Sequence, residues 1–215
     1  MKNNLKIRIS FLLLFVSTSL FSQTNDSIDF KGSIAKEINN SSSEFYYPKL
    51  QEKLKNKPSE LTTEDCHFLY YGRVFEKNFL CVKIISVDMI EFQDALMSKK
   101  LNKAIKLGLK LLEKDPFDLT VLFHTSVSMK ESGYKDNTYF LDNRTKNLIK
   151  AILSTGTGNS KENAIKIVMY DDIFVLKGIV GFLGGKESET TEDKHVYRIW
   201  EKDGNKIYFE FVAYS

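Results

Sequence analysis

The chain changes its hydrophobic period once, at Gly156-Thr157-Gly158, and that switch limits the folds open to it. Ahead of it, from Ile28 to about Leu153, apolar residues recur at three- and four-residue spacing, as in helices that bury one side. Behind it, Ala164 to Tyr170 is β-branched and partly alternating, which predicts a strand. His195 to Glu201 and Lys206 to Tyr214 then flank Lys202-Asp203-Gly204-Asn205, a hairpin signal, with Ile207, Phe209 and Phe211 on one face. A sheet this small needs cover for its apolar face. The expectation is therefore an α+β fold: an α-helical body over 23–155, then a small antiparallel β region over 156–215 packed on it as one unit. Between the strands, Ile173 to Gly181 fits helix or strand, and Gly184 to Asp193 reads as a polar loop.

Within the helical body, helix starts and stops can be placed by their chemistry. Phe30, Ile34 and Ile38 form one stripe, Asn39 to Ser43 a loop, and Pro48 opens a second helix to about Lys55. Leu61-Thr62-Thr63-Glu64-Asp65-Cys66-His67 gathers acids, a cysteine and a histidine, and invites a catalytic reading. Helix-start roles account for it: Thr62 as N-cap, Glu64 and Asp65 against the positive end of the dipole, Leu61 and Cys66 as a hydrophobic staple. That helix is predicted to continue past Leu69 and Tyr70 through Val74 and Phe75. Ser86 caps another helix, and more follow from Leu101, from Leu119 to about Glu131 with Gly133 as stop, and from about Asn137.

Residues 1–22 read as a secretory signal peptide. Lys2, Lys6 and Arg8 precede the apolar run Ile9 to Phe21, too short for a membrane span, and Ser22-Gln23 is the expected cut. We therefore expect an exported chain, periplasmic or secreted, with no transmembrane segment once matured. The leader also holds the whole formal excess of +3; without it 28 basic face 28 acidic residues. Such a balance offers no concentrated basic surface for phosphates, so nucleic acid is not an expected partner.

No motif specifies a reaction. His67, His124 and His195 are far apart in sequence and the two cysteines form no C-x-x-C, so no metal site is expected. Cys66 and Cys81 are either a disulfide closing a 15-residue loop or two thiols. A bridge would add roughly 3 kcal/mol. Gly156-Thr157-Gly158 lacks the third glycine of a dinucleotide loop, and Gly184-Gly185-Lys186 is followed by Glu187 rather than Ser or Thr, so no nucleotide cofactor is expected. Asp171-Asp172 is either a pair of carboxylates for acid-base work or, most simply, a turn between strands.

Two resemblances remain. Ala104, Pro116, Leu122 and Ser126 stand at the spacing of a tetratricopeptide repeat junction, although Leu111 replaces the usual alanine. A wider set covers most of the chain: Phe45 to Leu50, Leu61-Thr62 with Asp65, Leu69-Tyr70-Tyr71-Gly72, Asp115-Pro116-Phe117-Asp118, Gly158 with Ser160 and Ala164, and Tyr208-Phe209. Together these resemble domain-of-unknown-function family 4919, exported bacterial proteins. The resemblance implies an envelope location and a helical-then-β layout, and it carries no catalytic residue.

The expected function is a non-enzymatic binding or assembly module of the bacterial envelope, its partner a protein or peptide. Tyr46, Tyr47, Tyr70, Tyr71, His124 and Met129 are the candidate contacts. The tyrosines either line an aromatic groove or fill the core with their hydroxyls at its rim. A hydrolase of envelope polymers would need distant acids converging in one cleft. A carrier of a small apolar ligand would need an enclosed apolar cavity.

Overall fold

The structure, a computed structural model, describes residues 29–214 apart from 78, 84 and 135–137. The segment read as a signal peptide lies outside the described residues. Seven helices come first: α1 (Phe30–Asn39), α2 (Tyr47–Asn56), α3 (Thr63–Gly72), α4 (Val87–Met97), α5 (Leu101–Lys114), α6 (Leu119–Glu131) and α7 (Thr138–Leu153). Then come β1 (Ile165–Ile167), α8 (Asp172–Ile179), β2 (Lys186–Glu192), β3 (His195–Lys202) and β4 (Asn205–Phe211). The chain is thus an α+β protein, a helical body followed by a four-stranded, mostly antiparallel sheet.

Helix starts follow the local chemistry. Thr62 accepts from the Asp65 amide at 3.1 Å while the Asp65 carboxylate accepts from the Thr62 amide at 2.8 Å. This reciprocal box is worth about 1 kcal/mol. Ser86 and Asp118 cap α4 and α6 in the same way, each accepting from an amide three residues on. Leu61 and Cys66 are both buried. Helix α3 ends at Gly72, earlier than its apolar pattern predicts, and a 3-10 turn takes Arg73–Phe75. Gly72 also lets the Tyr47 ring lie against the backbone, since a Cβ there would meet Tyr47 Cε2 at 2.5 Å.

The sheet differs from expectation in three ways. Its order is β1-β4-β3-β2, and β1 runs parallel to β4, so the sheet is mixed. Residues 186–192, predicted to be loop, are the edge strand β2, paired antiparallel with β3 along seven positions. Lys186 to Glu192 is wholly polar and shows no alternation; pairing with β3 makes it a strand. Its turn uses Asp193 and Lys194, both at positive φ, as Asp203 and Gly204 are in the next hairpin. Two-residue hairpins take that backbone whatever the side chains, so the first turn carried no glycine signal. Finally, Asp171-Asp172 is not a turn between strands: Asp172 opens α8, settling the ambiguous apolar run as helix.

One core joins the two parts. Trp200, Ile207, Phe209 and Phe211 of the sheet share it with Ile173 and Leu176 of α8 and with Tyr70, Tyr71 and Leu148 of the helical body. Gly158, at φ +74°, places the loop after α7 against β4: its carbonyl accepts from the Tyr208 amide at 2.8 Å, and a Cβ would meet Ile207 at 2.9 Å.

Candidate functional site

The residues singled out in the sequence do not come together. Tyr46 precedes α2, with the Lys49 ammonium 5.9 Å from its ring centre. Met129 is buried on α6, and the half-buried His124 packs against Phe123, its pKa lowered by burial. Cys66 is wholly buried, which pushes its thiol up to about 12 and makes it a poor nucleophile. No disulfide joins it to Cys81, which is half-buried.

Tyr70 and Tyr71 are fully buried, and their hydroxyls do a specific job. Strand β1 pairs with β4 along one edge only. On the other, Tyr71 donates to the Lys166 carbonyl at 2.8 Å, the Val168 amide donates to Tyr70 at 2.9 Å, and the Lys166 amide donates to Thr155 Oγ1 at 2.9 Å. Three hydroxyls from α3 and the end of α7 therefore stand in for a missing neighbouring strand.

Tyr47 alone of the four tyrosines faces a sizeable cleft. This open groove of about 700 Å³ lies between α2, α3, the segment before α4 and the α5–α6 turn. Leu54, Phe79, Met89, Phe117 and Met169 supply apolar wall. Its acids are Glu76, Asp115 and Asp118, and each is engaged. Tyr47 donates to Glu76 at 2.9 Å, and Arg73 reaches Asp115 at 2.6 Å. Lys83 reaches Asp118 at 2.7 Å and Asp171 at 3.4 Å. Asp118 also caps α6 through the Val121 amide, so its carboxylate is held from two sides. A second cleft, of about 350 Å³, is walled by Cys81, Val82, Tyr170, Val196, Arg198 and Phe211.

Behind the Lys83 pair lies Asp172, wholly buried. Tyr70 donates to its Oδ2 at 2.6 Å, while Oδ1 has no hydrogen-bond partner. Burial raises its pKa to about 7 against the pull of Tyr70, Lys83 and Arg73. Asp172 does not line the groove. Among the described residues no cluster of three or more His, Cys, Asp or Glu side chains is placed to hold a metal ion. No helix among them is long and apolar enough to cross a membrane.

Sequence reasoning missed Arg73 and Lys83 as members of the groove, and the pairing of Tyr70 with Asp172 behind it. Two signals reached the groove: Tyr47, read as a candidate contact, and Asp115-Pro116-Phe117-Asp118, which stood out among the family landmarks. The family described as domain of unknown function DUF4919 matches residues 32–212. The chain belongs to that family. The DUF4919 match spans both the helical body and the sheet, groove included. Among curated proteins and solved structures nothing matches the chain.

Proposed function

We propose that this chain is an exported, non-enzymatic binding module whose groove receives a peptide segment of another envelope protein. The observation that carries the reading is the state of the groove's acids. Glu76, Asp115 and Asp118 are each tied to a hydroxyl or a cation, between walls that mix apolar and polar side chains. Glycoside or ester hydrolysis by carboxylates needs one free to take a proton and another placed across the substrate. These acids are spent on holding the groove's shape. An apolar-ligand carrier would need an enclosed site, whereas this one is open and has Arg73, Lys83 and Lys114 in its lining. The order of residues in the leader, basic then apolar then small, supports export.

A photo-reactive amino acid placed at Gln51, on the groove wall, and separately at exposed Lys36 on α1, tests the proposal in the native envelope. The expected result is one defined peptide adduct from position 51 and none from position 36. Equal yields from both positions, or turnover of envelope polymers abolished by Asp115→Asn, would overturn it.

A further inference from the structure

The groove already contains a stretch of chain that behaves as a bound segment does. Residues 79–83 cross between the two clefts, and Val82 belongs to both walls. Burial alternates along them: Phe79, Cys81 and Lys83 are turned inward, while Leu80 and Val82 are exposed by more than half. Their attachments are those of a docked peptide. The Cys81 carbonyl accepts from the Tyr170 amide at 3.2 Å, just past the end of β1. The Lys83 ammonium enters between Asp118 and Asp171. The Phe79 ring faces the Arg73 guanidinium at 5.9 Å.

The acid side of this contact exceeds its basic side. Lys83 meets Asp118 and Asp171 directly, with Asp172 behind them, while Arg73 is held by Asp115. A basic side chain is therefore the group this end of the groove selects. The apolar surface left by moving residues 79–83 aside would join Met169 of one cleft to Tyr170 and Phe211 of the other.

We infer that residues 79–83 are a resident occupant, displaced when the groove takes a segment of another chain that carries an aromatic residue four positions ahead of a lysine or arginine. The inference rests on the peptide-binding reading and names its ligand. Binding is then an exchange: the incoming carbonyl takes the Tyr170 amide, the incoming cation takes Asp118 and Asp171, and Lys83 goes to solvent. Such an exchange keeps affinity modest, because each bond to the incoming segment replaces one that the resident segment has already made.

Two readouts test this. The first is the rate at which a maleimide labels Cys81 in the full folded chain, with buried Cys66 as internal reference. Lys83→Met, which breaks the ammonium contact, should raise labelling of Cys81 about tenfold, the worth of one lost charge-assisted bond. The second is anisotropy of the labelled peptide Phe-Leu-Ser-Val-Lys, with Phe-Leu-Ser-Val-Glu as control. The lysine peptide should bind Lys83→Met about tenfold more tightly than the glutamate peptide does, and should bind wild type more weakly than it binds the variant. If Lys83→Met does not fold, Asp171→Asn loosens the same contact from its half-exposed side and should raise labelling in the same direction. Unchanged labelling in a folded variant, or equal binding of the two peptides, would overturn the inference. A defined adduct from position 51 in the envelope, together with peptides that do not bind, would sink the ligand class and leave the binding reading standing. Failure of both would remove both.

Discussion

The buried carboxyl of Asp172 makes this protein's stability depend on pH in an unusual direction. Its pKa is about 7 in the fold against 3.8 for an ordinary aspartate, so the folded state binds the proton more tightly than the unfolded chain. Stability from this group is fully present below the unfolded value and is lost as pH rises through about 7. Between about pH 4.5 and about pH 7.5 the loss comes to about 3 kcal/mol, from the shift and 1.36 kcal/mol for each pH unit. Asp172→Asn removes the ionisation and keeps an acceptor for the Tyr70 hydroxyl. Its new amide falls where Oδ1 has no partner, which adds a constant penalty of about 1–3 kcal/mol at every pH. The offset does not disturb the slope. Urea denaturation of wild type and variant at both pH values isolates the effect, because other titrating groups cancel in the difference. Relative to wild type, the variant should gain about 3 kcal/mol on going to the higher pH, or roughly 6–12 °C in Tm. A difference that stays flat between the two pH values would refute the assignment of Asp172 as the proton-binding group.

Tyr70→Phe should cost about 2–4 kcal/mol in denaturant melts, since it strips the Val168 amide and Asp172 of a shared partner inside the core. Gly158→Ala should cost about 1–3 kcal/mol, because the residue sits at positive φ with Ile207 in the way of a Cβ; Gly133→Ala, also at positive φ but in open space, should cost only about 1 kcal/mol. Thr62→Ala should lower stability by about 1 kcal/mol through loss of its half of the capping box, and Thr62→Ser should restore most of it. Cys66 should resist maleimide in native buffer at pH 8 and react after denaturation, as a thiol pushed up to about 12 in the core requires.

Much of the helical body was legible because its signals are local. Thr62, Ser86, Pro48 and the Ile34–Ile38 stripe act within one or two turns, and the elements begin where those residues put them. The hairpin at Asp203-Gly204 was legible for the same reason. Strand β2 was not, because apart from Thr190 and Thr191 little in Lys186 to Glu192 favours a strand until β3 lies beside it. Helix α8 was hidden because Ile173 to Ile179 is apolar but for Lys177 and Gly178, so its period carries little information. The site was least legible of all. Tyr47 meets Glu76 across 29 positions and Arg73 meets Asp115 across 42, so no spacing rule connects them. The tyrosines drew notice as aromatic neighbours, while their value lies in hydroxyls whose partners are backbone atoms elsewhere. Ala104, Leu122 and Ser126 are buried where α5 meets α6, a placement that suits repeat spacing and any close helix pair alike.

The hydroxyls along the free edge of β1 also tie the completion of the sheet to the helical body. A three-residue strand paired in parallel to the last strand of the chain has little to hold it alone. Its polar edge is quenched only when α3 and the end of α7 are already in place to receive it. The helices thus hold the strand from one side and β4 holds it from the other. Cutting the gene near Gly156 should then yield one half that folds poorly and another that has nothing to fold against.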